Sequence, residues 1–277
     1  MTYKAFDLEI NDGVARVVLS RPDSYNAMDG SFWTELRQIF ESISESPDVR
    51  VAVLSSMGKH FTAGMDLDYF AGVVAMPAAD PGRQREQICR MVREYQESFN
   101  AIEECRIPVL VAVQGGCIGG GVDLICAGDM RYCSNDAYFT IQEIKIGMTA
   151  DVGTLQRLPH LMPSGLVREL AFTGRKLEAD EAKSSGFVNQ VFEDHDSLIA
   201  SVLEIATEIA ARSPLAIVGS KEMLNYSRDH SVADGLNYVA TWNAAMVITD
   251  DLEEGMRAQA EKRPPSYEKL LDKRKID

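Results

Sequence analysis

Residues 108–126 read Pro-Val-Leu-Val-Ala-Val-Gln-Gly-Gly-Cys-Ile-Gly-Gly-Gly-Val-Asp-Leu-Ile-Cys. The apolar run Pro108–Val113 predicts a short buried strand, and the glycine cluster Gly115–Gly121 predicts a turn into a helix that carries Asp123. A helix N-terminus has unpaired N–H groups, and glycine lets a ligand approach that backbone closely. The stretch therefore predicts either an oxyanion-stabilising backbone or tight packing of a strand on a helix.

Strands and helices alternate on both sides of this stretch. Asn11-Asp12-Gly13 separates two alternating runs and predicts a hairpin, and Asp29 or Ser31 is expected to cap a helix to about Ser44. The other predicted elements are strands at Val49–Ser55, Met130–Ser134, Tyr138–Ile141 and near Phe187–Phe192, and a long helix at about Arg83–Glu104 with a solvated charged face. This alternation predicts an α/β core over residues 1–197, followed by a helical region over residues 198–277 for packing or oligomerisation.

Charge and hydropathy restrict the partners of the chain. Its 277 residues include 28 Lys and Arg against 42 Asp and Glu, so the net charge is −14. An acidic surface repels phosphate backbones, so we expect no nucleic-acid partner. No apolar run reaches the length of a membrane span, so we expect no membrane partner.

Several features bear on the cellular compartment. The five cysteines form no C-x-x-C pair and are odd in number, which favours reduced thiols. The N-terminus lacks the pattern of a signal or transit peptide, and the last six residues, Asp272–Asp277, are not an S-K-L address. From these features we expect a cytoplasmic protein.

Common cofactor and nucleophile motifs are absent from the sequence. It has no P-loop and no G-x-S-x-G elbow, and its glycine cluster has the wrong register for a dinucleotide fingerprint. The four histidines lack metal-ligand spacing. We therefore expect chemistry without a metal ion or a nicotinamide cofactor.

A second loop and three acids complete the candidate site. The loop Gly58–Leu67 consists largely of small residues and leads into a helix, for which Asp66 can serve as the N-cap. Each acid also has a structural explanation: Asp123 can interact with a helix dipole, Glu143 can be a solvated strand end, and Asp151 can be a helix cap. Together with the two loops, the acids indicate a site with paired acid and base groups.

These motifs resemble the crotonase (enoyl-CoA hydratase/isomerase) superfamily over about Phe6–Arg263. The matching pieces are Arg21-Pro22, Asn26-Ala27-Met28, Phe61–Leu67, Ile118–Leu124, Gln156–Pro159, Thr173–Arg175 and Gly186–Val188. Within the superfamily the chain is most similar to the dienoyl-CoA isomerases, through Glu143–Pro159, Gly116–Asp123 and Tyr226–Val232. The chain has an acid at Asp123, Glu143 and Asp151, whereas ordinary hydratases have glycine at the position of Asp151.

The resemblance implies a fold and a binding site. The implied fold is a spiral of ββα turns with C-terminal helices that form a homotrimer, often paired into a homohexamer. The implied oxyanion hole is the backbone N–H groups of Met65 and Gly120, and Ala63, Gly64, Met65, Asp66 and Leu67 would line the path of an acyl-CoA thioester. No cofactor is implied, since coenzyme A is part of the substrate. Met65 departs from the family, which has a small residue there.

The resemblance also implies a reaction, in which a 3,5-dienoyl-CoA becomes a 2,4-dienoyl-CoA during the oxidation of unsaturated fatty acids. Carbons C2 and C6 are too far apart for one carboxylate to serve both easily. We assign Glu143 as the base at C2 and Asp151 as the acid at C6, with Asp123 beside Glu143 raising its proton affinity. Two alternatives stay open: a 2-enoyl-CoA hydratase that positions water with Asp123 and Glu143, and a non-catalytic acyl-CoA-binding protein of the same fold.

Overall fold

The computed structural model describes residues 2–75, 77–78 and 80–272. The tail Lys273–Asp277, used above for the compartment, lies outside the described residues. The strands are β1 (Phe6–Asn11), β2 (Val14–Leu19), β3 (Val51–Ser56), β4 (Val109–Val113), β5 (Gly116–Ile118), β6 (Met130–Ser134), β7 (Tyr138–Thr140), β8 (Leu177–Glu178) and β9 (Gln190–Phe192). The helices are α1 (Gly30–Glu45), α2 (Leu67–Val74), α3 (Pro81–Glu103), α4 (Gly120–Cys126), α5 (Thr154–Arg157), α6 (Ser164–Thr173), α7 (Ala179–Ser184), α8 (His195–Ala210), α9 (Pro214–Asp229), α10 (Val232–Met246) and α11 (Asp250–Glu261). Within the described residues, no helix combines the length and the apolar character needed to cross a membrane.

The larger sheet has the strand order β1-β2-β3-β4-β6-β9. Strands β1 and β2 form the predicted antiparallel hairpin, with Asn11 opposite Val14, and every later pair in this sheet is parallel. Strand β4 lies in the middle, and all five of its residues are buried. Its residues alternate between two apolar clusters: Val111 faces one cluster, and Leu110 faces the other. The apolar run in the sequence is therefore explained by burial on both faces.

The smaller sheet has the order β5-β7-β8 and lies where the glycine cluster begins. After β4 the chain continues into β5 and α4, and after β6 it continues into β7 and α5, so successive turns add one strand to each sheet and then a helix. This arrangement confirms the predicted α/β fold of ββα turns. Strand β5 lies inside the stretch that the sequence predicted to be a glycine turn. The strand was not predicted because three residues that include a glycine show no hydrophobic alternation.

Helix α1 packs against strand β1 of the larger sheet, and α3 packs against α1. Asp29 caps α1 as predicted, accepting a hydrogen bond from the Phe32 amide at 3.0 Å. Trp33 on α1 stacks on Tyr95 of α3 with a ring-centroid distance of 4.3 Å. Trp33 also lines the cavity described below.

Helix α8 packs on the opposite face of the larger sheet through Leu198, Val202 and Ala206. The predicted boundary between residues 197 and 198 falls inside this helix, which begins at His195. The later helices leave large apolar side chains uncovered in the single chain: Leu224 is 73% exposed, Val232 is 79% exposed and Ile248 is 88% exposed.

Candidate active site

Three neighbouring segments end together at one edge of the smaller sheet. Strands β5 and β7 are parallel, with Ile118 opposite Thr140, so the residues that follow them emerge side by side. A third segment joins them through a parallel bridge between Thr62 and Cys117. The pairing therefore brings residues 62–65, the start of α4 and Glu143 to one place, although they are far apart in sequence.

Glycine permits the close approach of these segments at two positions. Gly64 has a φ of +83°, and a Cβ atom built there would lie 2.5 Å from the Ile118 carbonyl oxygen. Gly119 has a φ of +54°, and a Cβ atom there would lie 3.1 Å from Oε1 of Glu143. The carboxyl group of Glu143 thus lies against the backbone just before Gly120. Gly121 is different, because its missing Cβ leaves room for Thr62, which is the packing role considered from the sequence.

The backbone amides of Met65 and Gly120 are available to a ligand. Met28 pairs with the residues on either side of Met65, donating to the Gly64 carbonyl at 2.8 Å and accepting from the Asp66 amide at 3.1 Å. The N–H of Met65 therefore points away from this bridge. Gly120 is the first residue of α4, where an amide has no partner within the helix. Within the described part of the chain, neither amide has an acceptor.

A cavity of about 250 Å³ lies in front of these amides. The predicted residues that line it are Ala63, Met65, Leu67, Gly120, Glu143 and Asp151. Three predicted site residues do not line it. Gly64 is buried behind the loop, Asp66 caps α2 by accepting from the Tyr69 amide at 2.8 Å, and Asp123 is fully buried.

The cavity places two carboxyl groups in mostly apolar surroundings. Burial raises the pKa of Glu143, and the negative charge of Asp151 raises it further. Burial also raises the pKa of Asp151. Oε2 of Glu143 is buried and has no hydrogen-bond partner within the described residues. Both acids therefore hold a proton more tightly than exposed carboxyl groups do, as is common for groups that transfer protons in active sites.

The purely structural role predicted for Asp151, that of a helix cap, is taken by Asp123 instead. The N-cap of α5 is Gly153, with no side-chain capping bond, so Asp151 is not the cap of that helix. The capping interaction comes from Asp123, whose Oδ1 accepts from the Thr154 amide at 2.6 Å. Burial and, next, the charge of Glu143 raise the pKa of Asp123 to about 7. The sequence assigned the effect of this pair to Glu143, whose pKa is raised instead by burial and by the charge of Asp151.

Sequence reasoning missed several residues of the cavity wall. Trp33, Phe70, Ile146 and Met148 also line the cavity. The indole Nε1 of Trp33 is buried and has no partner within the described residues. Hydrophobic periodicity assigns Trp33 to the apolar side of α1, and nothing local in the sequence shows that this side also meets a cavity.

Among the residues that the structure describes, no three His, Cys, Asp or Glu side chains form a group that could hold a metal ion. The cavity is lined by two carboxyl groups, those of Glu143 and Asp151, in mostly apolar surroundings.

Comparison with known proteins identifies the family. The family model for enoyl-CoA hydratase/isomerase matches residues 9–270. The chain belongs to this enoyl-CoA hydratase/isomerase family. The sequence-based recognition of the superfamily is confirmed, and a crystal structure of an enoyl-CoA hydratase from Bacillus anthracis supports the fold: it is 29% identical, has a TM-score of 0.88, and the match covers 96% of this chain and 99% of that one.

Two curated relatives of this enoyl-CoA hydratase/isomerase family member are named Delta(3,5)-Delta(2,4)-dienoyl-CoA isomerase. The mitochondrial protein of Homo sapiens is 48% identical over 252 residues, which is 90% of this chain and 77% of the relative. The peroxisomal protein of Arabidopsis thaliana is 43% identical over 274 residues, which is 97% of this chain and 99% of the relative. The predicted similarity to the dienoyl-CoA isomerases is therefore confirmed.

The cytoplasmic location predicted from the sequence is wrong, because these similar proteins are named mitochondrial and peroxisomal. The cysteine pattern favours reduced thiols, which does not separate the cytosol from an organelle.

Proposed function

We propose that this chain is a Δ3,5-Δ2,4-dienoyl-CoA isomerase. Relatives with that name are 40–48% identical over at least 90% of the chain. The cavity supports the proposal, because it combines two acids of raised pKa with two available amides. The proposed substrate is a 3,5-dienoyl-CoA thioester, and the product is the conjugated 2,4-dienoyl-CoA.

The two amides are proposed to form the oxyanion hole. Removing a proton from C2 places negative charge on the thioester oxygen, and two fixed N–H donors stabilise that charge as it develops. The donors are the backbone N–H groups of Met65 and Gly120. Ala63 and Leu67 would line the path of the acyl-CoA beside them. Coenzyme A belongs to the substrate, so this chemistry needs no cofactor of its own.

The observation that carries the proposal is the position of Glu143 against Gly119. C2 is bonded to the thioester carbon, so a base for C2 must lie beside the oxyanion donors. Glu143 satisfies this requirement and would take the C2 proton. The electrons of the C2–H bond first form the enolate, with C1=C2 and the negative charge on the thioester oxygen. When the thioester carbonyl re-forms, C1=C2 shifts to C2=C3, C3=C4 shifts to C4=C5, and C5=C6 opens to accept a proton at C6. Asp151, which lines the same cavity, would deliver that proton.

Asp123 is proposed to support these acids from behind. Its side chain accepts a hydrogen bond from the Thr154 amide, three residues after Asp151, and the negative charge of Glu143 raises its pKa.

We further propose that the chain forms a homotrimer or homohexamer, supported by the uncovered apolar side chains of α9, α10 and the segment before α11. An assembly of this kind would bury those side chains.

The proposed function is tested by ultraviolet absorbance. Purified enzyme should convert a 3,5-dienoyl-CoA into the 2,4-dienoyl-CoA. The ultraviolet absorbance should rise, because the diene of the product is conjugated with the thioester carbonyl. Asp151→Asn should reduce turnover by about 10²–10⁴-fold, because Asn lacks the acidic proton needed at C6. It should still exchange the C2 proton in deuterated water, whereas Glu143→Gln should lose both exchange and isomerisation.

The control is Asp68→Asn, which makes the same chemical change at an exposed acid in the first turn of α2 and should leave turnover unchanged. A hydratase would instead lower the ultraviolet absorbance of a 2-enoyl-CoA and leave the absorbance of the 3,5-dienoyl-CoA unchanged. Near wild-type isomerisation by Asp151→Asn would contradict the role of Asp151, and no reaction of either substrate would favour a non-catalytic acyl-CoA-binding protein.

A further inference from the structure

The segment that carries Asp151 is held by polar side chains on one face of α3. Gln96, Asn100 and Glu103 follow one another at intervals of four and three residues, so they share one side of the helix. Nε2 of Gln96 donates to the backbone carbonyl of Asp151 at 2.7 Å. Gln96 thus contacts the residue proposed as the acid without contacting its carboxyl group.

Arg157 holds the next two residues of the same segment. Its Nε donates to Glu103 at 2.9 Å, and its Nη2 donates to Oδ1 of Asn100 at 2.6 Å. Its Nη1 lies 3.5 Å from the Val152 carbonyl oxygen and occupies the place of a side chain at Gly153, where a Cβ atom would lie 1.9 Å from it. The guanidinium group therefore connects α3 to the backbone beside Asp151.

Packing alone does not explain how this segment is fixed. Behind it lies a second cavity of about 380 Å³, lined mainly by polar groups that include Gln96, Arg157 and Glu103. The carboxyl group of Asp151 has no hydrogen bond to another residue within the described chain. The position of that carboxyl group consequently depends on its backbone. Ala150 and Val152 pack in the core on either side, and Gln96 and Arg157 supply the polar contacts to the backbone carbonyls of Asp151 and Val152.

We infer that Gln96 and Arg157 are positioning residues that set the protonation of C6 without affecting the removal of the C2 proton. The inference rests on the proposed function. Glu143 lies on a different segment, the turn Glu143–Ile146 that follows β7, and neither Gln96 nor Arg157 contacts it. A displacement of about 1 Å at a reacting group can reduce the rate by about 10²-fold. Loss of either positioning residue should therefore slow one half of the reaction.

The test is the variant Gln96→Met, which keeps the length of the side chain but removes its N–H donor. Its kcat for isomerisation of a 3,5-dienoyl-CoA should fall by about 10–100-fold, with KM changed by less than about threefold. Exchange of the C2 proton in deuterated water should stay within about twofold of wild type. The ratio of exchange to isomerisation should thus rise at least about fivefold.

The matched control is Gln87→Met, which makes the same change at an exposed position of α3 and should leave the ratio unaltered. Arg157→Lys is the second variant; it keeps the positive charge but not the forked contacts, and should raise the ratio in the same direction. Melting temperatures of all the variants are measured beside the rates.

Three outcomes overturn the inference. An unchanged ratio in Gln96→Met, in an enzyme whose wild type isomerises the diene, overturns the positioning role alone. Equal loss of exchange and isomerisation in both Gln96→Met and Arg157→Lys, with lowered melting temperatures, identifies a purely structural role. A wild type that does not isomerise the diene overturns the proposed function, and this inference with it.

Discussion

Asp123 is the most enclosed acid of the site, and its surroundings oppose its ionisation. It has no exposed surface, and Oδ2 has no hydrogen-bond partner within the described residues. Burial is the main cause that raises its pKa to about 7, with the charge of Glu143 second and the Thr154 amide acting in the opposite direction. An unfolded aspartate titrates near 3.9, so the folded protein binds this proton more tightly than the unfolded chain.

Asp123→Asn should therefore change how stability depends on pH. Between about pH 4 and about pH 7 the unfolded chain has lost the Asp123 proton and the folded protein retains it, so the contribution of this proton to stability falls as pH rises. Asn imitates the protonated form and can still accept from the Thr154 amide. The unfolding free energy of wild type minus that of Asp123→Asn should decrease by on the order of 1–3 kcal/mol across this range.

Urea unfolding of both proteins at several pH values measures this difference. Above about pH 7 the difference should level off, since the group is then ionised in both states. A difference that stays constant across the range, or grows with pH, would show that Asp123 is already ionised in the folded protein at low pH.

At the scale of elements, the two amides are placed by a loop and a helix start that touch through glycine. The loop packs closely before α4 because Gly64 has no side chain: a Cβ atom there would lie 2.5 Å from the Ile118 carbonyl oxygen, two residues before Gly120. The Met65 side chain is partly buried against the core and has no part in donating its own amide. Backbone geometry, and not the side chains of these two residues, is therefore expected to control oxyanion binding.

Met65→Ala and Gly120→Val test this expectation together. Met65→Ala keeps the amide and should retain kcat/KM within a few-fold. In Gly120→Val the added Cβ would lie 3.1 Å from Sδ of Met28, and its methyl groups would crowd the amide. That variant should lose about 10²–10³-fold in kcat/KM, comparable to the loss of one oxyanion donor. Equal losses in the two variants would argue against backbone donors.

At the scale of the whole molecule, the C-terminal helices are anchored to the core and also leave apolar surface uncovered. Nζ of Lys221 on α9 is buried and donates to Asp129 at 2.7 Å and to the Ile107 carbonyl at 3.1 Å. In the region predicted for oligomerisation, Trp242 is half-buried and packs against Gly219 of the same chain, while Ile248 is 88% exposed. Ile248 is therefore the better candidate for contact with a second copy of the chain, because Trp242 is already packed within its own chain.

Light scattering during gel filtration should give a mass of three or six chains of 30.6 kDa at micromolar concentration. Ile248→Asp places a charge in the exposed apolar surface and should shift the assembly toward smaller species, since a buried unpaired charge is costly. Arg212→Asp, a change at an exposed charged residue after α8, serves as the comparison and should leave the mass unchanged. A wild-type mass of one chain would contradict the proposed assembly.

Local patterns in the sequence were sufficient to determine many of the elements. Asn11-Asp12-Gly13 specifies the hairpin, Asp29 specifies the start of α1, and the apolar run at Val109–Val113 specifies a strand buried on both faces. Each of these depends on residues within a few positions of one another. The solvated charged face predicted for the long helix is also confirmed at Glu94 and Glu97, which are exposed.

Long-range contacts could be decided only by the tertiary structure. Gln96 lies between those two exposed acids in sequence, yet it contacts Asp151, 55 residues away. Asp123 stabilises the start of a helix 31 residues later, and its pKa follows from its burial there. The sequence alone determined which residue types follow one another and which backbone conformations they favour. Only the pairing of strands and the burial of side chains decided which acids share a cavity, because hydrogen bonding and desolvation depend on neighbours brought together by the fold.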